Sequence, residues 1–204
     1  MKLQFLFIAF TFFAIPLSFI DAPYPQELLL QHAATLLGLA CLTGAVIFAA
    51  PTTLSFTCVL IFVWLHIVGA RWIYSFVPYD DVACYIAGTS LSDYFGWDRN
   101  HYDRMVHFAS GLLGVPPASE LLQKFGAMRP FGAALMGVAC VITIGAFYEI
   151  LEWQIATVFS PAQAEAYNGQ QGDIWDPQKD LTLAAFGALL SAGLMFRWTP
   201  GDPR

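Results

Sequence analysis

The sequence predicts an all-α fold: a polytopic transmembrane bundle of about six helices in a single integral membrane domain, residues 1–204, with two longer loops on one side. Three observations predict it. The chain is 57% hydrophobic and only 12% charged, against about 25% charged residues in an ordinary soluble domain. Six apolar segments approach the roughly 20 residues that a helix needs to cross the hydrocarbon core. The basic residues of the short connections fall on one side of those segments, and the acidic residues fall on the other.

The segments are Leu3–Ile20, Leu28–Ala50, Leu54–Tyr74, Met105–Leu122, Phe131–Trp153 and Leu181–Trp198. The first follows Lys2 and resembles a signal peptide in length, but Pro23 directly after Ala22 is a poor cleavage context, so an uncleaved helix is expected. The fourth contains His107, Pro116, Pro117 and Glu120, which predicts a kinked helix packed inside the bundle. Six spans put Lys2, Lys124, Arg129, Arg197 and Arg204 on one side, expected to be the cytoplasm together with both termini. Asp21, Glu27, Asp80, Asp81, Asp93, Asp98, Glu165, Asp173 and Asp176 lie on the other. The turn at Ala50–Thr53 is uncharged and carries no orientation signal. The longer loops, Ser75–Asp103 and Gln154–Asp180, fall on the outer side. Their aromatic residues, among them Tyr79, Trp97, Tyr167 and Trp175, suit the headgroup zone, where short interfacial helices fit.

A net charge of −6 argues against nucleic acid as a partner. Cys41, Cys58, Cys84 and Cys140 show neither disulfide-framework nor metal-ligand spacing and read as small packing residues.

Several spans bring ionisable residues to one depth at the outer end. They are His66 and Arg71 on the third, Asp103, Arg104 and His107 on the fourth, Glu149 and Glu152 on the fifth, and Asp176 and Asp180 on the sixth. Asp103 with His107 and Asp176 with Asp180 are spaced i,i+4, and Glu149 with Glu152 i,i+3, so each pair can share a helix face. Buried carboxylates are costly unless paired or bound to a cation, and inward Glu and His on facing helices are how bundles build metal sites. His107, Asp103, Glu149, Glu152, Asp176 and Asp180 are therefore the candidate ligands of a divalent metal ion, with His66, Arg71, Arg104 and Asp173 as ion-pair or supporting residues. The plainer alternative is interfacial charge at helix ends, with Asp103 as a helix cap or a partner of Arg104, and His66 as a packing histidine. Glu120 and Lys124, also i,i+4, read as an ordinary surface pair. His32 and His101 carry no spacing signal.

The run Trp97-Asp98-Arg99-Asn100-His101-Tyr102-Asp103-Arg104-Met105-Val106-His107-Phe108, closed by Gly111, is one ordered motif. Tyr148-Glu149-Ile150-Leu151-Glu152-Trp153 is a second, and Gly172–Asp180 followed by Gly187-Ala188 is a third. In this order, and with His66 and Gly69 before them, they resemble the YjdF-like family of bacterial inner-membrane proteins, a domain of unknown function. The resemblance implies a six-span protein of the bacterial cytoplasmic membrane. A more distant similarity is to VanZ-like proteins, linked to glycopeptide resistance and the cell envelope. It runs through Asp103 and His107, Glu149 and Glu152, and Asp180 and Ala184. Glu152 stands where that family has Gln and Ala184 where it has Asn, so this similarity implies a shared helix arrangement rather than a shared reaction.

Nucleophile-elbow, phosphate-loop, His-Glu-x-x-His and dinucleotide motifs are absent from the sequence. Three readings remain open. One is a structural or envelope-associated membrane protein whose cluster is an ion-pair network. Another is a membrane-embedded metal-dependent enzyme acting on a lipid or lipid-linked envelope substrate. The third is a proton-coupled transporter. The bilayer itself is the one partner that all three require.

Overall fold

A computed structural model describes residues 1–158 and 170–198, the side chains of 197 and 198 excepted. Glu165, Tyr167, Arg204 and the side chain of Arg197 lie outside the described residues. Those described form eight helices: α1 (Lys2–Ser18), α2 (Pro25–Phe48), α3 (Thr53–Arg71), α4 (Tyr79–Ala87), α5 (Leu91–Phe95), α6 (Tyr102–Gly126), α7 (Pro130–Val158) and α8 (Asp176–Trp198).

Among the described residues, four helices are long and apolar enough to cross a membrane: α2, α3, α7 and α8. α1 is apolar but shorter, at 17 residues. α6, with 25 residues, is long enough but carries the charged residues and both prolines. The outer surface is apolar: Phe10 and Phe13 of α1 are 63% and 67% exposed, and Phe147 of α7 is 67% exposed. Only a hydrocarbon solvent suits such a surface, so the fold is an all-helical membrane bundle. The four cysteines are free thiols.

Local sequence explains where the helices start. Pro25 opens α2 at a position where its missing N–H costs nothing. The Thr52 hydroxyl caps α3 by accepting from Ser55 N, at 3.3 Å. Pro177 sits in the first turn of α8, where the chain enters through Asp173, whose carboxylate accepts from Trp175 N at 3.1 Å. Two short helices, α4 and α5, occupy the first long loop. They are tied together by Asp80, which accepts from Ser92 N at 3.0 Å and from Ser92 Oγ at 2.6 Å.

α6 stands at the centre, packed on α8, α7 and α3. Its helix continues through Pro116 and Pro117. Val115 and Pro116 are buried, and Val115 packs with Val138, Val141 and Ala188 of the flanking helices, which hold the segment together where the prolines remove backbone donors. α1, α2 and α3 form a second apolar cluster around Leu42, Phe56 and Val63. A third, of Tyr74, Val77, Tyr102 and Val106, joins the two at the loop end.

Glu120 and Lys124 do more than the surface pair their spacing predicts. The Glu120 carboxylate accepts from Thr52 N at 2.8 Å and from Thr52 Oγ1 at 2.6 Å. Lys124 Nζ donates to the Ala49 carbonyl. Both partners lie in the α2–α3 turn, so the pair clamps that turn to the far end of α6. Glu120→Ala is expected to cost about 1.5 kcal/mol, the low end for hydrogen bonds to a charged group because these two are solvent-exposed, read as a fall in the thermal midpoint of purified protein. Lys124→Met, which removes the separate bond to the Ala49 carbonyl, should lower the midpoint further.

Candidate metal centre

The site begins with the way α6 meets α8. A methyl group built on Gly111 would lie 1.9 Å from the Ala184 carbonyl oxygen, and one on Gly187 would lie 2.2 Å from the Phe108 carbonyl oxygen. The two backbones are in direct contact there, as small residues allow between membrane helices. On α6, Asp103, His107 and Gly111 follow one another at i,i+4. On α8, Asp180, Ala184 and Ala188 do the same. The glycine contact therefore brings Asp180 against Asp103 and His107.

The ligand atoms of Asp103, His107 and Asp180 all lie within 4.8 Å of one another. His107 Nε2 is 3.7 Å from Asp103 Oδ1 and 3.7 Å from Glu149 Oε1 of α7. These separations are too long for hydrogen bonds and leave a small space into which several groups point. Asp180 is 2% exposed and its Oδ1 has no hydrogen-bond partner among the described residues; Glu149 Oε1 is likewise buried without one among them. Glu152, one turn along α7, lies beside Tyr148, Glu149 and Asp103. Carboxylates this close repel one another and need protons or a cation to coexist.

A second layer adjoins it at the loop end, between the segment preceding α6 and the start of α8. Arg99 Nη1 reaches Asp176 Oδ1 at 2.6 Å, and Arg104 Nη2 reaches the same oxygen at 3.3 Å. Arg104 also pairs with Asp173 at 2.5 Å, as does Lys179 at 2.5 Å. The Lys179 ammonium, with the Trp175 N–H and Arg104 adding to it, holds the Asp173 carboxyl down to about 2. Burial lowers the affinity of His101 for a proton, and the neighbouring Arg104 and Arg99 lower it further.

The six residues expected as ligands are thus divided. Asp103, His107, Glu149 and Asp180 converge with Glu152 beside them, while Asp176 is held by two guanidinium groups. Among the supporting residues, Arg104 and Asp173 belong to the arginine layer, and Arg71 and His66 stand elsewhere. Arg71 donates to the Ser18 carbonyl at 2.6 Å and lies over the Trp72 ring at 4.9 Å, tying α3 to the end of α1. His66 uses both ring nitrogens, Nδ1 with the Tyr74 hydroxyl at 2.5 Å and Nε2 with the Gln31 carbonyl at 3.1 Å. It is a satisfied packing histidine. So is His32, placed between Ser18 Oγ at 2.7 Å and Thr35 Oγ1 at 3.1 Å.

Sequence reasoning missed Arg99. Next to Asp98 in a loop, it resembles half of an exposed pair; its partner Asp176 is 77 residues away. Tyr148, beside Glu149 in the second motif, was also missed. It lines a cavity of about 380 Å³ bounded by α2, α3, α6 and α7, which His66, Asp103 and His107 also line.

No solved structure matches the chain. The inner membrane protein YjdF of Escherichia coli (strain K12) is 31% identical over 148 residues, a stretch covering 72% of this chain and 66% of that relative. The chain thus spans just under two-thirds of that relative's length. Residues 3–201 match the profile of the family described as "Predicted membrane protein (DUF2238)", and with that match over nearly its whole length the chain belongs to this family of membrane proteins.

Proposed function

We propose that this multi-pass protein resides in the bacterial inner membrane and holds a divalent cation at the outer-leaflet end of α6, α7 and α8. In this reading it is a metal-dependent enzyme of the envelope. Asp103, His107 and Asp180 are the ligands, and Glu149 is the neighbouring carboxylate available as a further ligand or as a base. The observation that carries this is Asp180 Oδ1. It has no hydrogen-bond partner among the described residues, on a residue 2% exposed, within a group whose ligand atoms lie within 4.8 Å of one another. A mixed carboxylate and imidazole set suits Zn or Mn. Such an ion would polarise a carbonyl or phosphoryl oxygen, or lower the pKa of a bound water. The protein's own part is to fix the ligands on rigid helices and to keep the surroundings dry.

The arginine layer favours a structural role for the second group of charges, because Asp176 and Asp173 already have cationic partners. The test separates the two groups. Protein purified in mild detergent and loaded with Zn or Mn should retain about one ion per chain. His107→Ala and Asp180→Asn should lose it, with at least a tenfold fall in metal content, while Asp173→Asn keeps it. A metal-free wild type after loading with each ion would sink the metal reading.

The orientation rests on Lys2, Lys124 and Arg129 sharing one end of the bundle. Reporter fusions at either terminus should be active only on the cytoplasmic side. A C-terminal reporter active only outside would invert the topology and move the site to the inner leaflet.

A further inference from the structure

We propose that the site is closed towards water and served from the bilayer, and that its ligand is an amphiphilic lipid with one hydrocarbon chain in the cavity between α3 and α7 and its polar head at Asp103 and His107. The role of the head rests on the cation reading above; the chain pocket stands on separate observations.

The first observation is the covering of the site at the loop end. Arg99, Arg104, Asp173 and Asp176 form a continuous ionic layer there, and the side chain of Asp176 is 3% exposed. Beside it, the two loops are stitched together. Asn100 N donates to Gln171 Oε1 at 2.9 Å, and Gln171 Nε2 donates to the Asn100 carbonyl at 3.0 Å. Opening this side means breaking charged pairs that are largely removed from solvent, which is costly.

The second observation is the shape and chemistry of the cavity. Its volume, about 380 Å³, falls in the range of roughly 300–1,000 Å³ typical of ligand sites. One wall is α2 and α3, the opposite wall is α7, and α6 is the floor. α3 and α7 do not pack extensively on each other. Ile144 in the α7 wall is 68% exposed, so this side opens onto the lipid-facing surface. Polarity is graded along the cavity. His66, Asp103, His107 and Tyr148 stand at one end, while Val59, Leu113 and Ala118 line it further on. Along α6 the lining runs from Asp103 to Ala118, which at ~1.5 Å per residue is roughly 22 Å. That exceeds the ~15 Å half-thickness of a bilayer core, so the space accommodates an extended chain. A polar, water-soluble ligand would find an apolar wall and a closed door. A lipid meets an open flank at its own depth.

The experiment uses the full-length protein in nanodiscs containing phosphatidylglycerol with a diazirine midway along one acyl chain. After illumination, label is expected on residues 113–118 of α6 and 59–63 of α3, beyond the label on outward residues of α1. Gly38→Phe fills the cavity from α2, where the nearest atom to a new Cβ is Val63 Cγ2 at 3.7 Å. It should cut labelling of α6 at least fivefold and leave metal content unchanged. Cys140→Phe, from the opposite wall, should do the same. His107→Ala should lose the metal while chain labelling stays within about twofold. Label confined to outward surfaces in the wild type, or α6 labelling untouched by both filling variants, overturns the inference. Wild type labelled on α6 but free of metal would retain the chain pocket and sink the cation reading alone. If neither filling variant folds, the wild-type labelling pattern decides.

Discussion

Gly111→Ala is expected to be the most damaging single-methyl change in the bundle. The added carbon would sit 1.9 Å from the Ala184 carbonyl oxygen and 2.6 Å from Ala188 N, both backbone atoms that no side-chain rotation can move away. Relief requires α6 and α8 to separate along the contact that positions Asp180. The cost should exceed the ~1–3 kcal/mol of ordinary overpacking, and the variant should accumulate poorly or melt far below wild type. Gly187→Ala meets the Phe108 carbonyl oxygen at 2.2 Å and should behave alike. Gly193→Ala is the control: it lies on the same helix with nothing within 4 Å of the new carbon, and should be neutral or stabilising by up to ~1 kcal/mol. Thermal unfolding in detergent checks all three, and a wild-type midpoint for Gly111→Ala would refute the close-contact account.

Asp176→Ala should follow in severity. It leaves the Arg99 and Arg104 guanidiniums without the oxygen they share, at 2.6 and 3.3 Å. Removing one partner of a buried pair typically costs ~3–5 kcal/mol. For a chain of this size each kcal/mol is worth about 2–4 °C, so the midpoint should fall by about 6–20 °C. The double replacement Asp176→Leu with Arg99→Met removes both charges and should recover much of the loss, since Arg104 keeps Asp173 at 2.5 Å. Metal content should be unchanged in Asp176→Ala. Loss of metal with little loss of stability would instead make Asp176 a ligand and remove the distinction between the two layers.

The bundle was legible from length and apolarity because a membrane span is written in consecutive residues. The helix ends were less so. α6 starts at Tyr102 and α8 at Asp176, each several residues before the apolar run that announces it, because their first turns carry the charged residues. Depth and the i,i+3 and i,i+4 spacings put Asp103, His107, Glu149 and Asp180 at one end of the bundle, while their approach to one another depends on the α6–α8 glycine contact. What spacing lacks is radial detail. Asp176 and Asp180 share a face, yet one turn separates a carboxylate met by arginines from one whose Oδ1 has no hydrogen-bond partner among the described residues. Arg71 lies at the expected depth but turns towards the end of α1. Glu120 and Lys124 form a good local pair by pattern, while their hydrogen bonds are made to a turn 68 and 75 residues away. Sequence separation of that kind leaves no periodic trace.

The contact at Gly111 and Gly187 also works as a notch that indexes one helix against the other. Because each glycine receives a specific carbonyl of its neighbour, α8 cannot creep along α6 by a fraction of a turn. The next setting of the ratchet lies about 5.4 Å away, and there Asp180 would have left His107 altogether. Its spacing is thus fixed by a mechanical stop two turns deeper in the membrane, so altered loop sequences should leave that spacing in place, whereas one methyl group at the stop dismantles it.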